Sequence, residues 1–308
     1  MTSLSNEILA KWQVRKTAKQ KDAFIAFLQE KIPELRVEQG GFGKNKNLVV
    51  GDVASARVIC TAHYDTCARL PFPNFLAPKN IPAYLGYALL LCIPMVAIMV
   101  MMQLLLGLFF EDFFLLFDLP YLICMSLLLM ITLGGPPNPN TVNDNTSGVI
   151  TLCELMAALS PEERSKVAFV FFDNEENGLF GSRYFARLHK KEGLQDKLVM
   201  NFDCVSDGEH IMLVQNRAAR KAFGATLAES FVSTPEHKVH LESAATTMYP
   251  SDQASFPTNV GIAAFKHKKG IGLYIDRIHT KKDTILRESN ITYLVESTKT
   301  FLEKVNPN

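Results

Sequence analysis

None of the six cysteines, at positions 60, 67, 92, 124, 153 and 204, belongs to a CxxC pair, and their spacing is irregular. A disulfide framework is therefore not expected, and reduced thiols are. The N-terminal stretch MTSLSNEILAKWQ has no apolar signal core, so the catalytic part is expected not to be secreted. Neither sign of charge is in excess, since 32 Lys and Arg face 31 Asp and Glu for a net charge of +1. That balance gives no electrostatic reason for a nucleic-acid partner. Internal repeats and low-complexity tracts are also missing, which leaves 308 residues for one large α/β domain or two small ones with a sizeable core.

The most informative absence is local. Residues 81–110 contain no Asp, Glu, Lys or Arg, and residues 113–133 contain only Asp118. As helices these runs would extend about 45 Å and about 31 Å, against a hydrocarbon core of about 30 Å. Two membrane helices are expected, with Glu111-Asp112 as a tight turn between them. Pro94, Gly107 and Pro120 are expected to kink or break the spans.

The rest of the chain alternates strand-like and helix-like segments. A helix is expected over 5–32, with Ile25, Leu28 and Ile32 on one side, Lys16, Lys19 and Lys21 in solvent, and Pro33 as its stop. Strands are expected at 35–38, 48–50, 58–62, 167–172, 198–202, 239–241 and 261–265, and helices at 148–159, 181–191, 216–232 and 285–305. Residues 67–82 read as a loop and 134–140 as an exit linker. The pattern predicts a three-layer α/β sandwich with a mixed, largely parallel central sheet. Its segments are 1–80 and 134–308, with 81–133 as an inserted two-helix apolar hairpin.

Five short stretches carry carboxylates and imidazoles where strands should end: HYD at 63–65, NDNTSG at 143–148, DNEENGLFGS at 173–182, NFD at 201–203 and IHTKKDT at 278–284. Each alone is weak. An EE pair is ordinarily solvated surface, and an Asp in an Asn-rich turn is ordinarily turn chemistry. Together they put His63, Asp65, Glu175, Glu176 and Asp203 at the carboxyl ends of strands, where open α/β sheets gather ligands, with Asp144 and His279 arriving from loops. Crowded carboxylates call for cations, and imidazole with carboxylate donors suits catalytic zinc.

On these motifs, in this order, the chain resembles metallopeptidase family twenty-eight, the di-zinc exopeptidases, with glutaminyl cyclases as relatives. The resemblance implies that His63 and Asp203 hold one zinc ion, that Glu176 and His279 hold the other, and that Asp144 bridges the two. Cobalt or manganese are alternatives to zinc. It implies further that Asp65 accepts the second ring proton of His63, and that Glu175 is the general base. The segment SDQASF at 251–256 resembles a stretch lining the family's substrate pocket, so Tyr249 and Asp252 are candidate pocket contacts; Gln253 stands where the family often has His. Cys60, Cys67 and Cys204 flank the motifs as small hydrophobes.

The resemblance implies a zinc exopeptidase, most naturally an aminopeptidase. Its alternatives are a carboxypeptidase, an N-acyl amino acid hydrolase, a glutaminyl cyclase, or a catalytically silent membrane receptor. Residues 66–143 between two of the motifs are far more chain than the soluble relatives use there, and the apolar block lies within them. An even number of spans returns to its starting side, so the catalytic part stays on one side of the bilayer. The basic N-terminal region and Lys79 place that side in the cytoplasm. The expected partners are the lipid bilayer and a peptide or amide substrate, hydrophobic or membrane-derived.

Overall fold

The computed structural model describes residues 1–109 and 118–305. At its start, the helix expected over 5–32 is two helices, α1 (Ser3–Lys11) and α2 (Ala18–Lys31). Thr17 and Gln20 cap α2 reciprocally, and this local satisfaction of orphan N–H groups fixes a helix start inside the periodic stretch. The break turns Arg15 inward until it is fully buried. Lys21, expected in solvent, instead has its Nζ 2.7 Å from Asp173 Oδ1.

The hairpin β1 (Arg36–Gly40) and β2 (Asn45–Val50) precedes β3 (Val58–His63). Next come α3 (Ile81–Phe109) and α4 (Leu119–Thr132). The sandwich then continues through α5 (Ser147–Ala158), α6 (Pro161–Ser165), β4 (Val167–Phe172), α7 (Phe180–Leu188) and β5 (Leu198–Phe202). It closes with β6 (His210–Gln215), α8 (Arg217–Ser230), β7 (Lys238–Ser243), β8 (Asn259–Lys268), β9 (Gly272–Tyr274) and α9 (Glu288–Val305).

The sheet order is β1-β2-β4-β3-β5-β8-β6-β7, with β9 paired to β8. Its centre, β4-β3-β5-β8, is parallel, while β2 and β6 run antiparallel to their central neighbours. Alternation along β3 serves both faces. Val58, Cys60 and Ala62 pack with α2, α5, α8 and α9, and Ile59 packs with the α7 side around Phe172, Phe185 and Phe256. Strands β6 and β9 have no counterpart in the sequence reading. The four apolar residues of β6 are too few for periodicity to separate strand from helix or loop.

Helix α3 begins after Asn80, whose Oδ1 accepts from the Ala83 N–H at 3.0 Å. It runs unbroken through Pro94 and Gly107, contrary to the expectation of a break. Pro94 has no N–H to give the carbonyl four residues earlier, and the helix continues on either side of it. Pro120 sits in the first turn of α4, where its missing N–H costs nothing. The two helices touch each other. Helix α4 begins at Leu119; residues 113–117 of the second apolar run and the turn expected at Glu111-Asp112 lie outside the described residues.

Candidate metal centre

Three parallel strands end at one edge, and each delivers a charged side chain there. His63 is the last residue of β3, Asp203 follows β5 directly, and Glu175 and Glu176 follow β4 after Asp173 and Asn174. Asp144 comes from the turn leading into α5, and His279 from the loop between β9 and α9. Close packing sets this turn: a Cβ on Gly148 would lie 2.3 Å from the Phe202 carbonyl oxygen, so only glycine lets α5 start against β5. Asn174, Cys204 and His279 adopt left-handed backbone conformations with φ of 55°, 55° and 62°. Such conformations are held only where the surroundings over-determine them.

The geometry divides into two groups with one member in common. His63 Nε2 is 3.3 Å from Asp144 Oδ1 and 3.5 Å from Asp203 Oδ1. His279 Nε2 is 3.2 Å from Asp144 Oδ2 and 3.3 Å from Glu176 Oε2. Asp144 thus turns one carboxylate oxygen to each group. Ligands bonded at 2.0–2.1 Å to one tetrahedral ion stand about 3.4 Å apart, and both groups show that spacing. Asp203 Oδ1 and Glu176 Oε1 are buried without a hydrogen-bond partner, which disfavours a carboxylate unless a cation faces it. The donors are all imidazole nitrogen and carboxylate oxygen, so the residues fit a divalent ion such as zinc.

The charges are strongly interdependent. Burial pushes the Glu175 carboxyl well above the usual range, with Asp252, Glu176 and Asp203 adding to it against the pull of His63. Burial likewise raises Glu176, reinforced by Asp144. For His63 burial would lower the imidazole, but Glu175, Asp144, Asp203 and Asp65 reverse that and hold it well above its ordinary value. Asp144 stays low despite burial because His279 and His63 both bond to it.

Asp65 meets the His63 ring with two groups. The His63 ring is oriented by the Asp65 main-chain carbonyl, 3.1 Å from Nδ1, while the Asp65 carboxylate lies 3.6 Å away. That carboxylate accepts the backbone N–H groups of Glu175 at 3.0 Å and Glu176 at 3.2 Å, one on each oxygen. It therefore positions the EE pair against β3. Two supports were not assigned from the sequence. Asp283 accepts from the N–H groups of Asn143 at 2.7 Å and Asp144 at 3.0 Å, and burial with the Asp144 charge pushes its carboxyl up to about 7. Arg15 donates to the Tyr64 and Trp12 carbonyls and to Thr146 Oγ1, and burial brings its guanidinium down to about 10. Asp283 stands in the IHTKKDT motif and was visible there. For Arg15 the available signal was the T-x-x-Q capping pattern at Thr17–Gln20, which ends the preceding segment.

A cavity of about 240 Å³ opens onto both groups and is lined by Glu175 and Tyr249 as well. The Tyr249 hydroxyl donates to the Asp203 carbonyl at 2.8 Å, so its polar end is engaged with the sheet. Asp252 is fully buried, is not part of that lining, and has no hydrogen-bond partner on either carboxylate oxygen. Burial raises its carboxyl to about 7. Gln253 bonds Asn201 Nδ2 at 2.9 Å and the Tyr249 carbonyl at 2.7 Å, tying the segment to β5. Cys67 approaches Glu176 and His279, and burial with the Glu176 and Asp144 charges pushes its thiol up. Cys60 and Cys204 are buried and their thiols are also pushed upward by burial.

The model for Peptidase family M28 matches residues 132–303, a range that contains Asp144, Glu175, Glu176, Asp203 and His279 and leaves out His63 and Asp65. No curated protein sequence matches the chain. Among solved structures, the LapA aminopeptidase of Legionella pneumophila superposes with a TM-score of 0.58 at 13% identity, over 99% of this chain and 70% of that one. The glutaminyl cyclase of Porphyromonas gingivalis gives 0.59 at 14% identity, over 98% and 97%. That of Macrostomum lignano gives 0.59 at 12%, over 100% and 91%. At these identities the similarity is one of fold.

Proposed function

The chain belongs to peptidase family M28, and from that premise we propose that it is a membrane-anchored zinc exopeptidase, by preference an aminopeptidase. Residues 1–80 and 134–308 form the catalytic domain and 81–133 its membrane hairpin. The observation that carries this reading is the pair of ligand groups sharing Asp144, with Glu175 lining the same cavity. His63 and Asp203 would hold one zinc ion and Glu176 and His279 the other, with Asp144 between them. When bound, the ions supply Lewis-acid stabilisation of the oxygen charge that develops at an amide carbonyl and acidify the attacking water.

The chain's own residues do the rest. Glu175 takes a proton from the water and delivers it to the departing amine nitrogen, so the C–N bond breaks with water split between acid and amine. Burial raises its carboxyl above the usual carboxylate range, which makes it a stronger proton acceptor and suits a general base. Asp65 holds the Glu175 and Glu176 backbones side by side, so that one carboxylate ligates while its neighbour faces the water.

Membrane anchoring is supported by α3, whose 29 residues carry no charge and include no buried member. Tyr84 and Tyr87 lie at its base and Tyr121 at the far end of α4, the placement of interfacial aromatics. Lys16 and Lys79 at the base favour a cytoplasmic side for the catalytic domain. Purified in detergent, the protein should carry close to two zinc ions per chain and release amino-terminal residues from peptides. Glu175→Gln should keep the zinc and lose turnover by about a thousandfold or more. A zinc-free wild-type protein would support the silent receptor instead. Because the cyclase folds match over nearly their whole length, the substrate panel should include an amino-terminal glutaminyl peptide, and ammonia release without chain shortening would overturn the peptidase reading.

A further inference from the structure

Three histidines that the metal centre does not use stand side by side on adjacent strands, and none of them lines its cavity. His240 lies on β7, His210 begins β6 and His267 is near the end of β8, in the order in which those strands pair. Strand register explains the meeting. His210 is opposite Lys238 on one side and Phe265 on the other, so His240 and His267 each sit two residues along and project from the same face. His210 Nδ1 is 2.9 Å from His240 Nε2. The ring centres stand 5.2 Å apart for that pair and 5.5 Å apart for His210 and His267. His210 is 6% exposed and forms a floor, His240 is half-buried and His267 is exposed. An ion can therefore reach the three rings from solvent.

Two nitrogens held at about 2.0–2.1 Å on adjacent corners of a square-planar or octahedral ion are about 2.9 Å apart, whereas a tetrahedral ion spreads them to about 3.4 Å. The centres of imidazole rings sharing such an ion are about 4.5–5.5 Å apart. The histidine pair has the tighter spacing and the catalytic groups the wider one. Two neutral imidazoles sharing one proton have that tighter spacing too, so the surroundings decide. Glu209 Oε1 is 3.6 Å from His210 Nε2, as Asp65 Oδ1 is from His63 Nδ1, and a carboxylate behind a ring strengthens the nitrogen that faces an ion. Among the described residues the His267 ring has no hydrogen-bond partner to hold it away from the pair. Lys79, whose charge reaches His240, is itself paired with Glu242. We propose that His210, His240 and His267 form a second metal site, separate from the catalytic centre, for a divalent ion that takes nitrogen donors in tetragonal geometry, nickel or copper. Bound there, the ion ties β7, which is hydrogen-bonded to a strand on one side only, to β6 and β8.

The test uses the full chain without an affinity tag, in detergent and loaded with zinc. Nickel is added by equilibrium dialysis, and both metals are counted in the same sample. One nickel ion per chain should be retained beyond an unchanged zinc content, and the thermal midpoint should rise with nickel concentration. Glu209→Gln, behind the ring, should lower nickel affinity by about 10–100-fold, and His210→Asn, His240→Asn and His267→Asn each by at least as much. His189→Asn, at a histidine outside the cluster, should leave nickel binding as it was. Unchanged zinc content shows that a variant has folded; should the buried His210→Asn lose zinc as well, the exposed His267→Asn and Glu209→Gln carry the test. Absence of the extra nickel, nickel that only displaces zinc, or wild-type affinity in any folded histidine variant overturns the inference and leaves a plain imidazole hydrogen bond. The deciding count is the one ion per chain that the histidine variants remove, so failure of the peptidase reading leaves this test intact.

Discussion

Strand β4 and helix α3 are both written almost wholly in apolar residues, yet every residue of β4 is buried and none of α3 is. The difference is one of partners. β4 is six residues long, has a strand hydrogen-bonded on each side and a hydrophobic cluster on each face, so its apolar surface is spent inside the protein. α3 is a helix, bonded largely within its own backbone, and among the described elements it packs chiefly with α4, so its surface remains for an apolar solvent. An apolar run thus says that burial is needed, while the fold says whether protein or lipid provides it.

That contrast can be broken or sharpened by substitution on either side. The largest effect is expected at Asp144, where the sandwich concentrates its charge. Asp144→Ala should release both zinc ions and abolish turnover, while retention in the membrane fraction after alkaline extraction should be unchanged; zinc analysis alongside extraction checks both. Next comes the buried strand. Phe171→Ala should destabilise the sandwich by about 3–5 kcal/mol in denaturant unfolding, whereas Leu104→Ala in α3 should change it by less than about 0.5 kcal/mol. Equal effects would mean that α3 is packed against protein after all.

A smaller effect is expected at Asp65, since an amide can accept from only one of the two backbone N–H groups. Asp65→Asn should keep the fold and lower kcat or zinc affinity by about 10–100-fold. The smallest effect concerns His189, at the end of α7, with its ring nitrogens 2.9 Å from Glu38 and from Glu192. Burial would lower this imidazole, but the two carboxylates raise it above its unfolded value. Its contribution to stability is therefore complete below about pH 6.5 and fades as the pH rises through the higher folded value. His189→Gln should flatten the fall in thermal midpoint across that window, and α3 should be indifferent to it.

Much of the site was legible because its chemistry is written in short motifs at strand ends. His63, Asp144, Glu176, Asp203 and His279 stand in stretches that are weak singly and readable as an ordered set, and β3, β4 and β5 lie where their apolar runs predict. The misses have different physical causes. The helix expected over 5–32 splits because a local capping box outcompetes a periodic pattern. Strand β6 escaped because its pairing with β7 and β8 is decided by residues dozens of positions away. The two jobs of Asp65, main-chain carbonyl toward His63 and carboxylate toward the Glu175 and Glu176 amides, depend on β3 and β4 being parallel neighbours.

The sequence by itself determined which donor atoms are available, how long the apolar runs are and where strands must stop, because these are properties of neighbouring residues. Only the tertiary structure decided that Asp144 divides its two oxygens between His63 and His279, that Arg15 lies buried behind the HYD turn, and that one cavity runs from Glu176 and His279 to the base of α3. Those facts join residues far apart in the chain, and the order of strands in the sheet is what brings them within a few ångströms.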